Sequence, residues 1–126
     1  MLEPKAGERP AAEAGVLTEA VIRAADQLGV NAKSLSAVLG VSEATVSRMR
    51  PRDFLLERGT KPFELGVLFV RLFRSLDAIV GGDDAVARAW IKNPNLALEA
   101  RPLEKILTIA GLIDVIAYLD SRRALV

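Results

Sequence analysis

Apolar residues recur at helical spacing along most of the chain, and period-two alternation never holds for long. Leu17, Val21, Ala24, Ala25 and Leu28 form a stripe that predicts a first helix over 18–28. Thr18 is its expected N-cap, and Gly29 stands at the left-handed position past its end. Asn31 is placed to cap a short second helix ending near Leu39. Gly40-Val41-Ser42 reads as a tight turn, and Ser42 as the cap of a third helix from Glu43 to Arg50 that Pro51 stops. A fourth and longest helix, over 63–80, places Leu65, Leu68, Phe69, Leu72, Phe73, Leu76, Ile79 and Val80 on one face. Val67 and Val70 add a second apolar side, so this helix is buried from two directions or lies at a dimer seam. Past Gly81-Gly82, Asp83 is suited to cap a helix running through Trp90 and Ile91. Pro102 suits the first turn of a short helix reaching about Leu107. Thr108 is placed to cap the last helix, whose stripe is Leu112, Ile113, Ile116 and Leu119. The expected fold is all-α.

The organisation follows from these elements. Residues 1–14, rich in Pro, Gly and charge, read as a disordered lead. Residues 15–62 form a first helical unit and its charged connector, and residues 63–126 a second helical unit.

Composition narrows the chemistry. The chain has 126 residues, 51% hydrophobic and only 5% aromatic, so its core is aliphatic; 17 basic and 16 acidic residues leave a net charge of +1. Cysteine and histidine are both absent. That excludes a disulfide framework, zinc sites of the Cys/His kind, a cysteine nucleophile and a Ser-His-Asp triad. An enzyme would have to rest on carboxylates, lysine or serine, and no spacing argues for such a site or for a cofactor. Asp83-Asp84 reads as helix capping rather than as a metal site. No secretory signal is legible over 1–10, and no run reaches the roughly 18–20 apolar residues of a spanning helix. A cytoplasmic protein without membrane contact is the expectation.

The segment Leu35 to Met49 carries the first functional signal. Leu35, Leu39, Val41, Val46 and Met49 fall at the buried positions of two short crossing helices, with Gly40 in the turn and small Ser36 at the crossing. The second helix then presents Glu43, Ala44, Thr45, Ser47 and Arg48, short polar side chains and one arginine suited to a major groove. Five basic residues between Arg48 and Lys61, Arg50 among them, against two acidic ones give a local charge of +3 that suits phosphate contact. Glu43, Thr45, Ser47, Arg48 and Arg50 are therefore the candidate DNA-binding residues. A packing unit with a solvated charged loop is the bland alternative. The segment resembles the helix-turn-helix of Xre/Cro-type regulators.

The second half resembles the toxin-binding domain of the Xre/MbcA/ParS antitoxin family. The resemblance rests on Arg71-Leu72, Gly81-Gly82-Asp83, Ala89-Trp90-Ile91, Asn93-Pro94-Asn95, Arg101-Pro102-Leu103, Gly111, Val115 and Tyr118-Leu119, in that order. Glu99-Ala100 stand where members often carry a glycine pair. The resemblance implies a type II antitoxin that inhibits a RES-domain toxin consuming NAD, by degrading it or transferring ADP-ribose. It also implies an antitoxin that dimerises, covers the toxin's active site and binds operator DNA of its own promoter. The residues it brings forward for the toxin are Arg101, Tyr118, Asp120, Arg122, Arg123, Leu125 and Val126. The alternative is a plain Xre-type transcription regulator whose second half only dimerises.

Overall fold

The computed structural model describes residues 8–124 and contains seven helices and no strand among them: α1 (Glu8–Leu28), α2 (Ala32–Leu39), α3 (Glu43–Met49), α4 (Lys61–Ile79), α5 (Asp84–Lys92), α6 (Pro102–Lys105) and α7 (Ile109–Arg123). The all-α expectation holds.

Short polar side chains start most of these helices. Asn31 accepts from the Ser34 amide at 2.8 Å, Ser42 from Thr45 at 3.1 Å, Asp83 from Val86 at 3.1 Å and Thr108 from Gly111 at 3.1 Å, all four as the sequence predicts. Thr60 adds a fifth cap, at 3.4 Å from the Phe63 amide. Gly40 closes α2 at φ +70°, a conformation that favours glycine.

The first helix departs from the reading. It begins at Glu8, so residues 8–14, expected in the disordered lead, are helical, while residues 1–7 lie outside the described region. Thr18 is no cap but a buried residue of the helix interior. Its hydroxyl donates back to the Ala14 carbonyl at 2.7 Å and accepts from the Leu56 amide at 2.9 Å. The alanines and charges of the lead sustain a helix once its inner face has α4 to pack on.

The centre of the molecule is α4. Phe69, Leu72 and Leu76 are fully buried, with α1 packed on one side of the helix and α7 on the other. From α1 come Val21, Ala24, Ala25 and Leu28; from α7 come Leu112, Val115, Ile116 and Leu119. The stripe of α7 therefore includes Val115, whereas Ile113 faces solvent. In a near-continuous apolar run the sequence leaves the phase of the stripe open, and packing on α4 selects it. On α4 itself Val70 is buried, but Val67 stays 45% exposed.

Candidate functional site

The turn at Gly40 crosses α2 and α3 as expected. Leu35, Val38, Leu39, Val46 and Met49 are buried between them, and Val41 is half-buried. Ser36 donates from its hydroxyl to the Lys33 carbonyl at 2.7 Å. On the outer face, Glu43, Ala44, Ser47 and Arg48 are exposed. Thr45 is half-buried, its hydroxyl hydrogen-bonded to that of Ser42 at 2.9 Å.

The basic segment after α3 is organised by α1. Arg50 grips Asp26 with two hydrogen bonds, Nη1 to Oδ2 at 2.9 Å and Nη2 to Oδ1 at 2.8 Å. Arg52 donates to Glu19 at 2.7 Å and Arg58 to Glu13 at 3.1 Å, while Lys61 pairs with Glu64 at 3.1 Å. The hydrogen bonds from Arg50 hold the Asp26 carboxyl below its ordinary value; slight burial opposes this and the arginine's charge adds to it. Of the five cations, Arg48 alone makes no ion pair among the described residues. The net charge of +3 is thus largely offset by three acidic side chains of α1. Their sequence separations of 24, 33 and 45 residues hid them from a local charge count.

The candidate toxin-contact residues divide into separate places. Arg101 precedes α6, exposed, beside Glu104 at 3.6 Å. Asp120 is half-buried and ties α7 to α4, accepting from Arg71 and, at 3.0 Å, from the Ser75 hydroxyl. Tyr118 sets its ring 6.3 Å from that of Trp90, tilted by 48°. These two rings, with Leu76, Ile79, Val86 and Arg122, line a groove of about 310 Å³. Arg123 lies elsewhere, on the rim of a larger groove between α1, α4 and α7. Arg122 and Arg123 therefore serve different surfaces, because neighbours on a helix diverge by about 100°. Leu125 and Val126 lie outside the described residues.

The structure also exposes apolar side chains that the sequence reading left in the core or unremarked. Leu96 is 97% exposed in a turn closed by the Asn95 side chain and the Leu98 amide, and Ile109 and Ile113 project from one face of α7. The surplus of apolar residues in α7 was the available signal.

Two short helices crossed at a glycine turn, the second with a small polar outer face, define a helix-turn-helix protein carrying a second helical layer. The chain belongs to the Xre/MbcA/ParS antitoxin family: residues 2–71 match the antitoxin Xre-like helix-turn-helix domain, and residues 75–124 match the antitoxin Xre/MbcA/ParS C-terminal toxin-binding domain. It is an antitoxin, with a toxin as its partner. The two matched segments meet inside α4. No curated relative matches the chain. No helix among the described residues is long and apolar enough to cross a membrane.

Proposed function

We propose that this antitoxin neutralises a RES-domain, NAD-consuming toxin by covering its active site, acts without catalysis of its own as a cytoplasmic homodimer, and regulates its operon through α3. The observation that carries this reading is the union of a helix-turn-helix match and a toxin-binding match in one chain. In the toxin-binding segment Trp90, Tyr118 and Arg122 surround an open groove, and Leu96, Ile109 and Ile113 stand in solvent. Apolar anchors beside an arginine suit a pocket built for an anionic dinucleotide. The guanidinium takes a phosphate subsite or pairs with a pocket carboxylate, and the anchors supply buried area. Arg101 is a further toxin contact in this reading, made apart from the groove. Promoter DNA is met by Glu43, Thr45, Ser47 and Arg48, with Arg50 available only when it leaves Asp26.

The test is co-expression with the protein of the open reading frame beside its gene, with a RES-domain toxin as the expected product. The expected result is a stable complex in which NAD consumption is silent and returns when the antitoxin is removed. An Arg122→Ala variant is expected to lose neutralisation; full neutralisation at equal stoichiometry would remove this arginine from the contact. A chain that captures no toxin yet shifts its own promoter DNA would leave the plain regulator as the better reading.

A further inference from the structure

The largest groove of the molecule, about 850 Å³, lies away from Trp90 and Tyr118. Its floor is α4, one wall is α1 and the other is the end of α7. Most of its surface is apolar. Leu17 and Val70 line it, and Val16 of α1 and Val67 of α4 stand open on it, 70% and 45% exposed. A concave apolar surface of this size with a few charged groups at its rim is the usual form of a small-molecule site. Its charges are unevenly placed. Arg71 of the floor is held by Asp120 of the α7 wall, a pair that cancels. Arg74 and Arg123 each stand three residues further along the same two helices, and neither makes an ion pair among the described residues. The one other acid of the groove, Glu13 on the α1 wall, is met by Arg58 of the connector at 3.1 Å. Two guanidinium groups are thus left without a counter-charge at the edge of an apolar trough.

We propose that this groove binds a single-chain aliphatic carboxylate, its chain laid along α4 and its head between Arg74 and Arg123. Side chains one turn apart on a helix start about 5–6 Å from each other, so both arginines flank the Arg71–Asp120 pair, and a carboxylate set above that pair is within their reach. A guanidinium holds a carboxylate through charge-assisted hydrogen bonds, and the apolar walls around it strengthen them. From Arg74 back to Val67 the floor runs about 10 Å, the reach of a medium-length aliphatic chain. Val16, Leu17, Val67 and Val70 supply the surface that such a chain dries. Glu13 sets the direction. Its partner Arg58 precedes α4, so the acid stands towards the start of the floor and disfavours a carboxylate there. The head is left to the arginines and the chain to the valines. A ligand seated in this way touches α1 of the first matched segment and α7 of the second, and so fastens the two across α4.

Titration calorimetry of the full chain with decanoate, below its micelle concentration, tests this without any toxin present. Saturable binding of one decanoate per chain is expected, weakening by roughly three- to fourfold for each methylene removed through octanoate and hexanoate. Decanol and decyltrimethylammonium are expected to bind about tenfold more weakly or worse, since the first lacks the charge and the second repeats that of the arginines. Arg74→Gln and Arg123→Gln are each expected to weaken decanoate by about fivefold or more, with decanol unmoved and the circular dichroism spectrum unchanged. Decanoate is also expected to raise the melting temperature of the wild type, and to raise it less in either variant. Binding that does not saturate, or that treats the three decyl compounds alike, is adsorption to exposed apolar surface and overturns the proposal. So does decanoate binding that both arginine variants leave intact. Because the chain has no cysteine, a Val67→Cys variant reads what covers the groove. Decanoate is expected to protect it from a thiol reagent. Protection that decanoate does not give, but that toxin or a higher concentration of the chain does, would assign the groove to a protein surface and overturn the proposal.

Discussion

At Gly111 the geometry leaves no room for a side chain. A Cβ placed there would lie 1.9 Å from the Lys105 carbonyl oxygen and 2.7 Å from its carbon, because the first turn of α7 is folded tightly onto the end of α6. Backbone cannot yield as a flexible side chain can, so Gly111→Ala is expected to cost about 3 kcal/mol, read from urea unfolding. Glu99 is the opposite case. It occupies the left-handed region at φ +57°, in the turn bridged by Asn95 and Ala100, without the glycine that conformation favours. Glu99→Gly is expected to stabilise the fold by about 0.5–1 kcal/mol in the same measurement. Both residues were noticed in the sequence, one as part of a motif and one as a departure from it. Only the backbone shows that one glycine is required and that the other position lacks one.

Between elements, the three arginines after α3 act as a clasp on α1 rather than as an open basic patch. Each pair is about half exposed to solvent, so its contribution to stability is small, under about 1 kcal/mol. The Asp26 pair also titrates. Its carboxyl is held below the ordinary value, so the stabilisation is fully present above the unfolded carboxylate value and is lost as pH falls through the depressed folded one. Asp26→Asn is therefore expected to lower the melting temperature slightly at neutral pH and to flatten its fall below about pH 4. By releasing Arg50, the same variant is expected to tighten promoter DNA binding a few-fold in a gel shift; unchanged affinity would show that Arg50 stays away from phosphate. Helix starts were legible in the sequence because a cap and the amide it satisfies are three residues apart. The clasp was not, because each arginine meets an acid across the fold. Thr18 failed as a cap for a related reason: its partner, the Leu56 amide, arrives from the connector.

On the scale of the molecule, the two matched segments share one core. They meet within α4, and that helix needs α1 on one side and α7 on the other to bury Phe69, Leu72 and Leu76. Further ties cross the same boundary. Arg88 of α5 donates to the carbonyls of Gln27 and Asp26 at the end of α1, and Arg71 of α4 holds Asp120 of α7. The hydrophobic pattern suggests two units divided near residue 62, because periodicity reports which face of a helix is buried and not what buries it. A core shared in this way has to unfold as a unit. Trp90, the single tryptophan, lies in the second half, so its fluorescence reports there, while far-ultraviolet circular dichroism averages over all helices. The two signals are expected to give coincident transitions in urea, and a chain cut after residue 110 is expected to lose the helix-turn-helix fold together with α7. Separate transitions, or a truncated chain that keeps cooperative unfolding, would show instead that α4 closes a self-sufficient first unit. Coincidence would tie the two ends of the antitoxin energetically, since toxin bound to the second half would then stabilise the first by mass action.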